Sequence, residues 1–195
     1  MRPIDHDKRR RVIIVKALAL FAKDGYQSTS LTEIAAASKC PRTMMYRYFK
    51  DKREIFNYAV TLLTQELAAK YADIEEKPGT CLEKLEQVME FVTESIFSHR
   101  VELSVILDYV LGSHRSGRSP RRAIARHSYG LRSLLHRLVM AGIRRGEFRP
   151  VPVGIAVNFL YSQVESTILR ITVADSADRR VATDTIREIL SWMRS

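Results

Sequence analysis

The chain has 195 residues and a formal net charge of +10. Residues 1–56 hold 13 Lys or Arg against 6 Asp or Glu, and the remaining residues hold 19 against 16. Two cysteines are too few for a disulfide framework, and no apolar run has the length of a membrane-spanning helix. The composition excludes a disulfide-rich secreted domain. We expect a soluble, cytoplasmic protein with no membrane contact, whose first third binds a polyanion.

The first 56 residues carry the start and stop signals of three short helices and the beginning of a fourth. Apolar residues three and four apart predict a first helix, which ends at Asp24-Gly25 because glycine adopts the left-handed conformation easily. Ser30 followed by Glu33 is the capping-box pattern and predicts the start of a second helix. Pro41 suits the first turn of a third helix, where a backbone N–H would have no partner.

The third helix is predicted to have one buried and one exposed face. Met45 and Phe49, four residues apart, face the core. The outward side chains are basic, aromatic or polar: Arg42, Thr43, Tyr46 and Arg47. Two short helices joined by a tight turn, the second with such a face, are typical of a helix-turn-helix that binds DNA.

Several residues of this segment form a pattern with fixed spacing: Phe21-Ala22, Gly25-Tyr26, Thr29-Ser30-Leu31, Ile34-Ala35, Tyr46-Arg47-Tyr48-Phe49-Lys50, Lys52 and Ile55. With this pattern, residues 8–56 resemble the N-terminal domain of the tetracycline-repressor-type (TetR) family of transcriptional regulators. The family usually has glycine at the position of Lys39, a small polar residue at that of Pro41, and Gly-Thr at that of Thr43-Met44. These differences lie on or beside the third helix, so they bear on which operator sequence is bound.

Two kinds of DNA contact are predicted. The guanidinium groups of Arg42 and Arg47 match the paired acceptors on guanine in the major groove. Thr43, one turn before Arg47, is expected to contact a thymine methyl group or a phosphate. Phosphate contacts are expected from Thr29, Tyr46 and Lys52. For Tyr46 and Lys52 the family resemblance implies the same contact.

Beyond residue 51 the apolar periodicity predicts six more helices, at about 52–74, 80–99, 102–111, 120–145, 152–173 and 178–194. The segment 113–122 is rich in serine and arginine and contains glycine, so it is predicted to be an exposed loop. The predicted fold is therefore all-α with about nine helices. Residues 1–51 are predicted to form the helix-turn-helix DNA-binding domain, and residues 52–195 the regulatory domain for ligand binding and dimerisation.

The eighth predicted helix is apolar on nearly every side, so it must be covered on more than one face. One chain has little else to cover it with, which favours a homodimer. The family resemblance implies that helices eight and nine form this contact and that the regulatory domain holds a small-molecule effector. The candidate effector-binding residues are polar groups among apolar ones, as is usual in ligand pockets: Tyr109, His127, Asn158 and Tyr161.

No arrangement of catalytic residues is visible in the sequence. The five histidines lack the spacing of a metalloprotease or a zinc site, and neither a phosphate-binding glycine loop nor a nucleophile elbow is present. We therefore expect no enzymatic activity, no metal and no cofactor. Cys40 is expected to be a small core residue, with a redox role as the alternative.

Two functions remain open from the sequence. The first is a ligand-responsive DNA-binding transcriptional regulator, a repressor that a small-molecule effector releases from its operator. The alternative is a helical ligand-binding or interaction protein whose DNA binding is lost or non-specific. The basic face of the third helix and Lys52 favour the first, whereas the differences from the family at Lys39, Pro41 and Thr43-Met44 favour the second.

Overall fold

The computed structural model describes the backbone of residues 5–115 and 121–194, and the side chains of these residues except 114–128. Within these residues the chain forms nine α-helices and no β-strand, which confirms the prediction of an all-α fold. In chain order the helices are α1 (His6–Asp24), α2 (Leu31–Ala37), α3 (Arg42–Tyr48), α4 (Lys52–Glu76), α5 (Cys81–Ser98), α6 (Arg100–Arg115), α7 (Arg121–Arg144), α8 (Val153–Thr172) and α9 (Arg179–Met193).

Capping residues set the ends of the first two helices. The Asp5 carboxylate accepts a hydrogen bond from the Lys8 N–H at the start of α1. Gly25 ends this helix with φ at 84°, which glycine reaches without steric cost. Ser30 and Glu33 form both hydrogen bonds of the predicted capping box at α2. The local signals in the sequence therefore predicted these ends correctly.

Other helix ends differ from the sequence prediction. Pro41 is the N-cap of α3 and lies just before its first turn, without a side-chain hydrogen bond. Helix α5 begins after Thr80, which forms a second capping box with Glu83. This Thr-x-x-Glu pattern was as visible in the sequence as that of α2.

Helix α6 is longer than predicted, and the loop predicted from residue 113 is wrong in its first residues. The helix continues to Arg115. Ser113 is only 6% exposed, and a Cβ at Gly112 would lie 3.5 Å from the Gln27 side chain. Packing against the rest of the molecule thus holds a helical turn whose composition favoured a loop. Residues 116–120 of the predicted loop lie outside the described residues.

The chain forms two compact units. The first unit contains Met1–Gln65 and Ser104–Ser119, and the second contains Glu66–Leu103 and Pro120–Ser195. Helices α4 and α6 therefore each contribute residues to both units. The boundary predicted between residues 51 and 52 marks the start of α4 and stays a prediction about domain function.

The first unit has an aliphatic and aromatic core. Its buried residues come from all of its helices, and they include Ile13, Phe21, Ile34, Met45, Phe49, Ile55, Phe56 and Val105. Cys40 is also buried in this core, as expected for a small apolar residue. Burying one large apolar side chain stabilises a fold by about 1.5–3 kcal/mol, so this set fixes the positions of two helices that are only seven residues long.

The second unit has a larger core between longer helices. Its fully buried side chains lie on α5, α7, α8 and α9, and they include Leu85, Met89, Leu134, Leu135, Leu160 and Leu190. The turn after α7 packs back on its own helix, with Phe148 only 2% exposed. A Cβ at Gly142 would lie 2.2 Å from the ring of Phe148, so glycine leaves the space that this ring fills.

Candidate nucleic-acid interface

Helix α3 has the two faces predicted from the sequence. Met45 and Phe49 are buried, which confirms that they face the core. The exposed side chains include two guanidinium groups, a hydroxyl and a phenol: Arg42, Thr43, Tyr46 and Arg47. None of these side chains is acidic, so the outward face of α3 suits the phosphates and base edges of DNA.

Polar and aromatic contacts fix the orientation of α3. The Tyr48 hydroxyl is hydrogen-bonded to Nδ1 of His6 at 3.0 Å. The ring of Phe49 packs edge-on against Tyr58, with 6.0 Å between centroids, and the Arg10 guanidinium lies 5.8 Å from the centroid of Tyr58. Residues of α1 and α4 therefore hold the buried side of α3, which leaves the opposite side in a defined position.

The turn between α2 and α3 contains Lys39 in a left-handed conformation, with φ at 49°. A residue with a Cβ pays a steric cost of roughly 1–2 kcal/mol there, which explains why glycine is the usual residue at this place. The Arg9 guanidinium donates a hydrogen bond of 2.5 Å to the carbonyl oxygen of Lys39. The sequence difference is accommodated without loss of the tight turn, and Arg9 supports the strained residue.

Lys52 is bound within the loop that precedes α2. Its Nζ donates hydrogen bonds to the carbonyl oxygens of Tyr26, Gln27 and Thr29, at 2.7, 2.8 and 2.9 Å. Burial lowers the pKa of Lys52, and the nearby Glu33 carboxylate partly offsets this effect. An ammonium group has three N–H donors, so all of them are used here. A phosphate contact by Lys52 stays a prediction that requires one of these bonds to be exchanged.

Thr29 lies differently from the sequence expectation. It is only 3% exposed, and its hydroxyl donates a hydrogen bond of 2.9 Å to the carbonyl oxygen of Gly25. Its backbone N–H donates to the same oxygen at 3.3 Å. The expected phosphate contact is therefore corrected to a structural role, because the hydroxyl is turned inward to stabilise the loop.

The same loop is bound by α6. The carboxylate of Asp108 accepts a hydrogen bond of 3.0 Å from the Tyr26 N–H. The ring of Tyr109 packs 4.9 Å from that of Tyr26 and 4.3 Å from that of Phe56, measured between centroids. Tyr109, predicted to bind the effector, thus belongs to the aromatic core of the first unit. Lys52 and Asp108 together fix the segment that leads into α2.

The sequence is similar to those of known transcriptional regulators. Residues 13–59 match the sequence profile of the bacterial regulatory proteins of the tetR family. The transcriptional repressor KstR2 of Mycobacterium tuberculosis is 25% identical over 162 residues, which cover 83% of this chain and 78% of KstR2. The regulator AcrR of Shigella flexneri is 36% identical over 87 residues, 44% of this chain and 40% of AcrR. Residues 13–59 thus match the DNA-binding domain of the tetR family, and the comparisons support a TetR-family DNA-binding transcriptional regulator.

Solved structures of TetR-family regulators have the same fold over most of their length. The structure of KstR2 superposes with a TM-score of 0.76 at 20% identity and covers 96% of this chain and 95% of that one. The fatty acid degradation regulator FadR of Bacillus halodurans has a TM-score of 0.77 at 18% identity, covering 93% of this chain and 94% of FadR. At these identities the likeness concerns the fold alone.

Two of the four residues predicted to bind an effector come together in the second unit. Arg132 donates a hydrogen bond from Nη2 to Oδ1 of Asn158, and its guanidinium lies 4.7 Å from the ring centroid of Tyr161. The side chain of His127 lies outside the described residues, and Tyr109 is part of the first unit. The four residues therefore do not form one described site.

Sequence reasoning missed three residues that organise these places: Arg9 at the turn, Asp108 at the loop and Arg132 beside Tyr161. Each acts on a partner that is distant along the chain, at a separation of 30 for Arg9 and Lys39 and of 82 for Asp108 and Tyr26. No local pattern distinguishes such an arginine or aspartate from its neighbours on the same helix. Lys39 in place of glycine indicated only that the turn needs support, not that Arg9 provides it.

Helices α8 and α9 expose apolar side chains. On α8, Ile155 is 68% exposed and Leu169 55%, although Leu160 and Val164 on the other side are buried. On α9, Trp192 is 55% exposed. Helix α8 therefore has more apolar surface than the described residues cover, and such surface is typical of a protein interface.

Among the described residues, no helix combines the length and the apolarity needed to cross a membrane. In the same part of the chain, no group of three or more His, Cys, Asp or Glu side chains is placed to hold a metal ion.

Proposed function

We propose that this TetR-family protein is a repressor that binds operator DNA as a homodimer and is released by a small-molecule effector. The observation that carries the proposal is the outward face of α3, where Arg42 and Arg47 are exposed on a helix whose other face is buried. A helix held in this way can enter the major groove with its basic face toward the bases.

The exposed residues of α3 have different proposed roles. Arg42 and Arg47 contact guanine, because a guanidinium group binds O6 and N7 of guanine in a bidentate manner. Thr43 contacts a thymine methyl group or a phosphate, and Tyr46 contacts a phosphate. Lys52 contributes to phosphate binding only if a phosphate oxygen replaces one of the three carbonyl oxygens that its ammonium group binds. Phosphate contacts fix the position on the duplex, whereas base contacts determine the sequence that is bound.

Binding curves on operator and scrambled DNA, measured across a salt series, test these roles. The DNA that flanks the protein's own coding sequence is the first place to search for a protected operator. Arg42→Ala or Arg47→Ala should weaken operator binding by about 1–3 kcal/mol and relax the preference at one base pair. Tyr46→Phe, which removes only the hydroxyl, serves as the control for a phosphate contact. An equal loss on operator and scrambled DNA would place both arginines on the backbone instead.

The homodimer is supported by the exposed apolar side chains of α8 and α9, and TetR-family regulators usually form dimers. We expect a dimer at micromolar concentration, with a mass twice the 22.4 kDa of the chain. Light scattering measures this mass directly. Ile155→Glu and Trp192→Glu, which place charge on this apolar surface, should give monomers that keep their helical circular dichroism. A stable 22.4 kDa species of the unaltered chain would contradict the proposal.

The effector is proposed to act through coupled equilibria. If it lowers operator affinity by a given factor, operator DNA must lower effector affinity by the same factor. A coupling of about 1–3 kcal/mol gives a roughly 5–150-fold change. The relatives are named as regulators of ketosteroid and fatty acid degradation functions, so compounds of these apolar classes are the first to test. A confirmed effector whose affinity does not change with operator DNA would contradict release by this mechanism.

The alternative, a helical ligand-binding or interaction protein without specific DNA binding, rested on the sequence differences in the turn and at the start of α3. The turn at Lys39 keeps the left-handed conformation that glycine would adopt, and Thr43 remains exposed. These observations support the repressor. Equal affinity for operator and scrambled DNA would favour the alternative.

A further inference from the structure

The second unit has a cleft of about 320 Å³ between the end of α4, the start of α5 and the last turns of α7. Its floor includes the buried side chains of Cys81 and Leu138. Its charged and titratable lining residues are Glu75, Lys84, His136, Arg137, Arg144 and Arg145. Four cationic side chains thus share one concave surface with a single carboxylate, which gives the cleft a positive potential.

The acidic groups at this cleft are already bound by the protein. The Glu75 carboxylate accepts hydrogen bonds of 2.7 and 2.6 Å from Nε and Nη2 of Arg137. This bidentate pair holds the pKa of Glu75 below its usual value. Glu147, which lies next to the cleft, accepts hydrogen bonds from the N–H groups of Cys81 and Leu82 at the start of α5. Glu75 is therefore occupied by Arg137, and Glu147 is shared between the start of α5 and Arg145.

Two of the cations are held in place and keep unused donors. Lys84 donates one hydrogen bond of 2.6 Å to the Glu75 carbonyl oxygen, so two of its three N–H groups remain. Arg137 is fixed by Glu75 and, through Nη1, by the Ser133 hydroxyl at 2.9 Å, and two of its five N–H groups remain. Holding donors in place before binding reduces the entropy that a ligand must overcome.

Of the other two arginines, Arg145 has an ion-pair partner and Arg144 has none among the described residues. Arg144 makes no ion pair with any described residue. Arg145 lies 3.8 Å from Glu147, a carboxylate that the start of α5 already binds. Adjacent like charges in one cleft are costly unless an anion is present. Guanidinium groups bind phosphate and carboxylate groups with paired hydrogen bonds.

We propose that this cleft binds a small organic anion with at least two negative charges, either a phosphate ester or a polycarboxylate. The anionic groups lie between Lys84 on α5, Arg144 at the end of α7 and Arg145 directly after it, and the apolar part of the ligand contacts Leu138 and Met140. This site is independent of the helix-turn-helix and of the Arg132–Asn158–Tyr161 group.

Calorimetric titration of the full-length protein at low salt tests the site, with pyrophosphate and citrate as probes for the two anion types. We expect saturable binding of one anion per chain. Arg144→Ala and Lys84→Ala should each weaken it by about tenfold or more, because each removes a charge-assisted contact. Arg149→Ala is the matched control, since Arg149 is exposed in the same unit and does not line the cleft.

A double variant with Arg42→Ala and Arg47→Ala is the control for anion binding at the exposed face of α3. It should leave the anion affinity of the protein unchanged. Tighter binding of pyrophosphate identifies a phosphate ester, and tighter binding of citrate a polycarboxylate. Absence of saturable binding for both probes overturns the proposal. An equal loss with Arg149→Ala, or a loss only with the Arg42 and Arg47 changes, also overturns it. Circular dichroism melting of each variant confirms that the exposed Arg144 can be changed without unfolding.

Discussion

Helices α2 and α3 have seven residues each, whereas α5, α7, α8 and α9 of the second unit have 18, 24, 20 and 15. An isolated helix shorter than about 12–15 residues is marginal in water, so α2 and α3 depend on the apolar core that they cover and also on contacts at their turns and loops. These contacts are polar and involve few atoms, as Lys52 and Arg9 show. The second unit has a larger apolar core along long helices, and most of its ion pairs lie at the surface.

The two units therefore hold their helices in place with different kinds of contact. In the first unit, polar contacts such as those of Arg9 and Lys52 position specific turns and loops next to α2 and α3. In the second unit, many buried apolar side chains on four helices share the core. Substitutions in the second unit should therefore change stability mainly by changing the volume of packed side chains. Substitutions in the first unit should change it mainly through hydrogen bonds and backbone conformation.

The largest effect is expected in the second unit from Gly142→Ala. The new Cβ would lie 2.2 Å from the Phe148 ring, so the ring must move out of a fully packed site. Overpacking of this kind lowers the free energy of unfolding by about 1–3 kcal/mol. Urea unfolding measures the loss.

Gly130→Ala on the same helix is the matched control for Gly142→Ala. No described atom lies within 4 Å of a Cβ at Gly130, and alanine favours a helix over glycine by about 1 kcal/mol. Gly130→Ala should therefore raise the free energy of unfolding. If both changes had the same sign and size, the packing of Phe148 would not determine stability at this turn.

In the first unit, Lys52→Met should lower the free energy of unfolding by about 2 kcal/mol, because it removes the partner of three carbonyl oxygens. The methionine keeps the apolar stem, so the loss reports on the ammonium group. Lys50→Met is the matched control, since Lys50 is an exposed lysine two positions earlier.

The salt dependence of operator binding then distinguishes the two roles of Lys52. With a purely structural role, the slope of log affinity against log salt stays the same in Lys52→Met. With a direct phosphate contact, the slope becomes shallower by about one. Faster amide exchange in the loop before α2, without a change in slope, is the result that we expect from the three observed hydrogen bonds.

Lys39→Gly should stabilise the first unit by about 0.5–1 kcal/mol. Glycine removes the steric cost of the left-handed conformation, and the greater freedom of the unfolded chain offsets part of the gain. Asp175, with φ at 46°, provides the comparison in the second unit. Aspartate tolerates this conformation better, and Asp175 also pairs with Arg100 at 3.0 Å, so Asp175→Gly should gain less. Thermal unfolding of both variants measures the difference, and a larger gain at Asp175 would refute this account.

The sequence predicted most of the fold because helix ends are local. Ser30 and Glu33 mark a helix start through neighbours three residues apart, and apolar periodicity marks the faces of the long helices. The extension of α6 was not predictable in this way, because burial of Ser113 depends on residues distant along the chain. Composition alone favoured a loop there.

The candidate sites were predictable only in part, for the same physical reason. The outward face of α3 follows from helical spacing within one seven-residue segment. The partners of Lys52 lie 23 to 26 positions away, and Arg137 and Glu75 of the cleft are 62 positions apart. Tyr109 was assigned to the effector because it is a polar aromatic residue among apolar ones, and that pattern is shared by aromatic cores.

The smallest effect concerns the two capping boxes, one in each unit. The Glu33 carboxylate accepts a hydrogen bond from the Ser30 N–H at 2.7 Å, and the Glu83 carboxylate accepts one from the Thr80 N–H at 2.8 Å. These hydrogen bonds hold the pKa of both carboxyl groups below the ordinary value of 4.5. A lowered pKa in the folded state stabilises the fold above the unfolded pKa, and this stabilisation is lost as the pH falls through the folded value.

Glu33→Gln and Glu83→Gln keep an oxygen acceptor but do not titrate in this range. Each should make the decline in stability below a pH of about 4.5 shallower, as measured by urea unfolding at a series of pH values. Amide exchange at Ser30 and Thr80 reports on each box separately. Because α2 has only seven residues, exchange at neutral pH should rise more in Glu33→Gln than in Glu83→Gln. An equal rise at both amides would mean that the short helix depends on its cap no more than the long one does, and that packing against Ile34 and Ala35 is sufficient to hold α2.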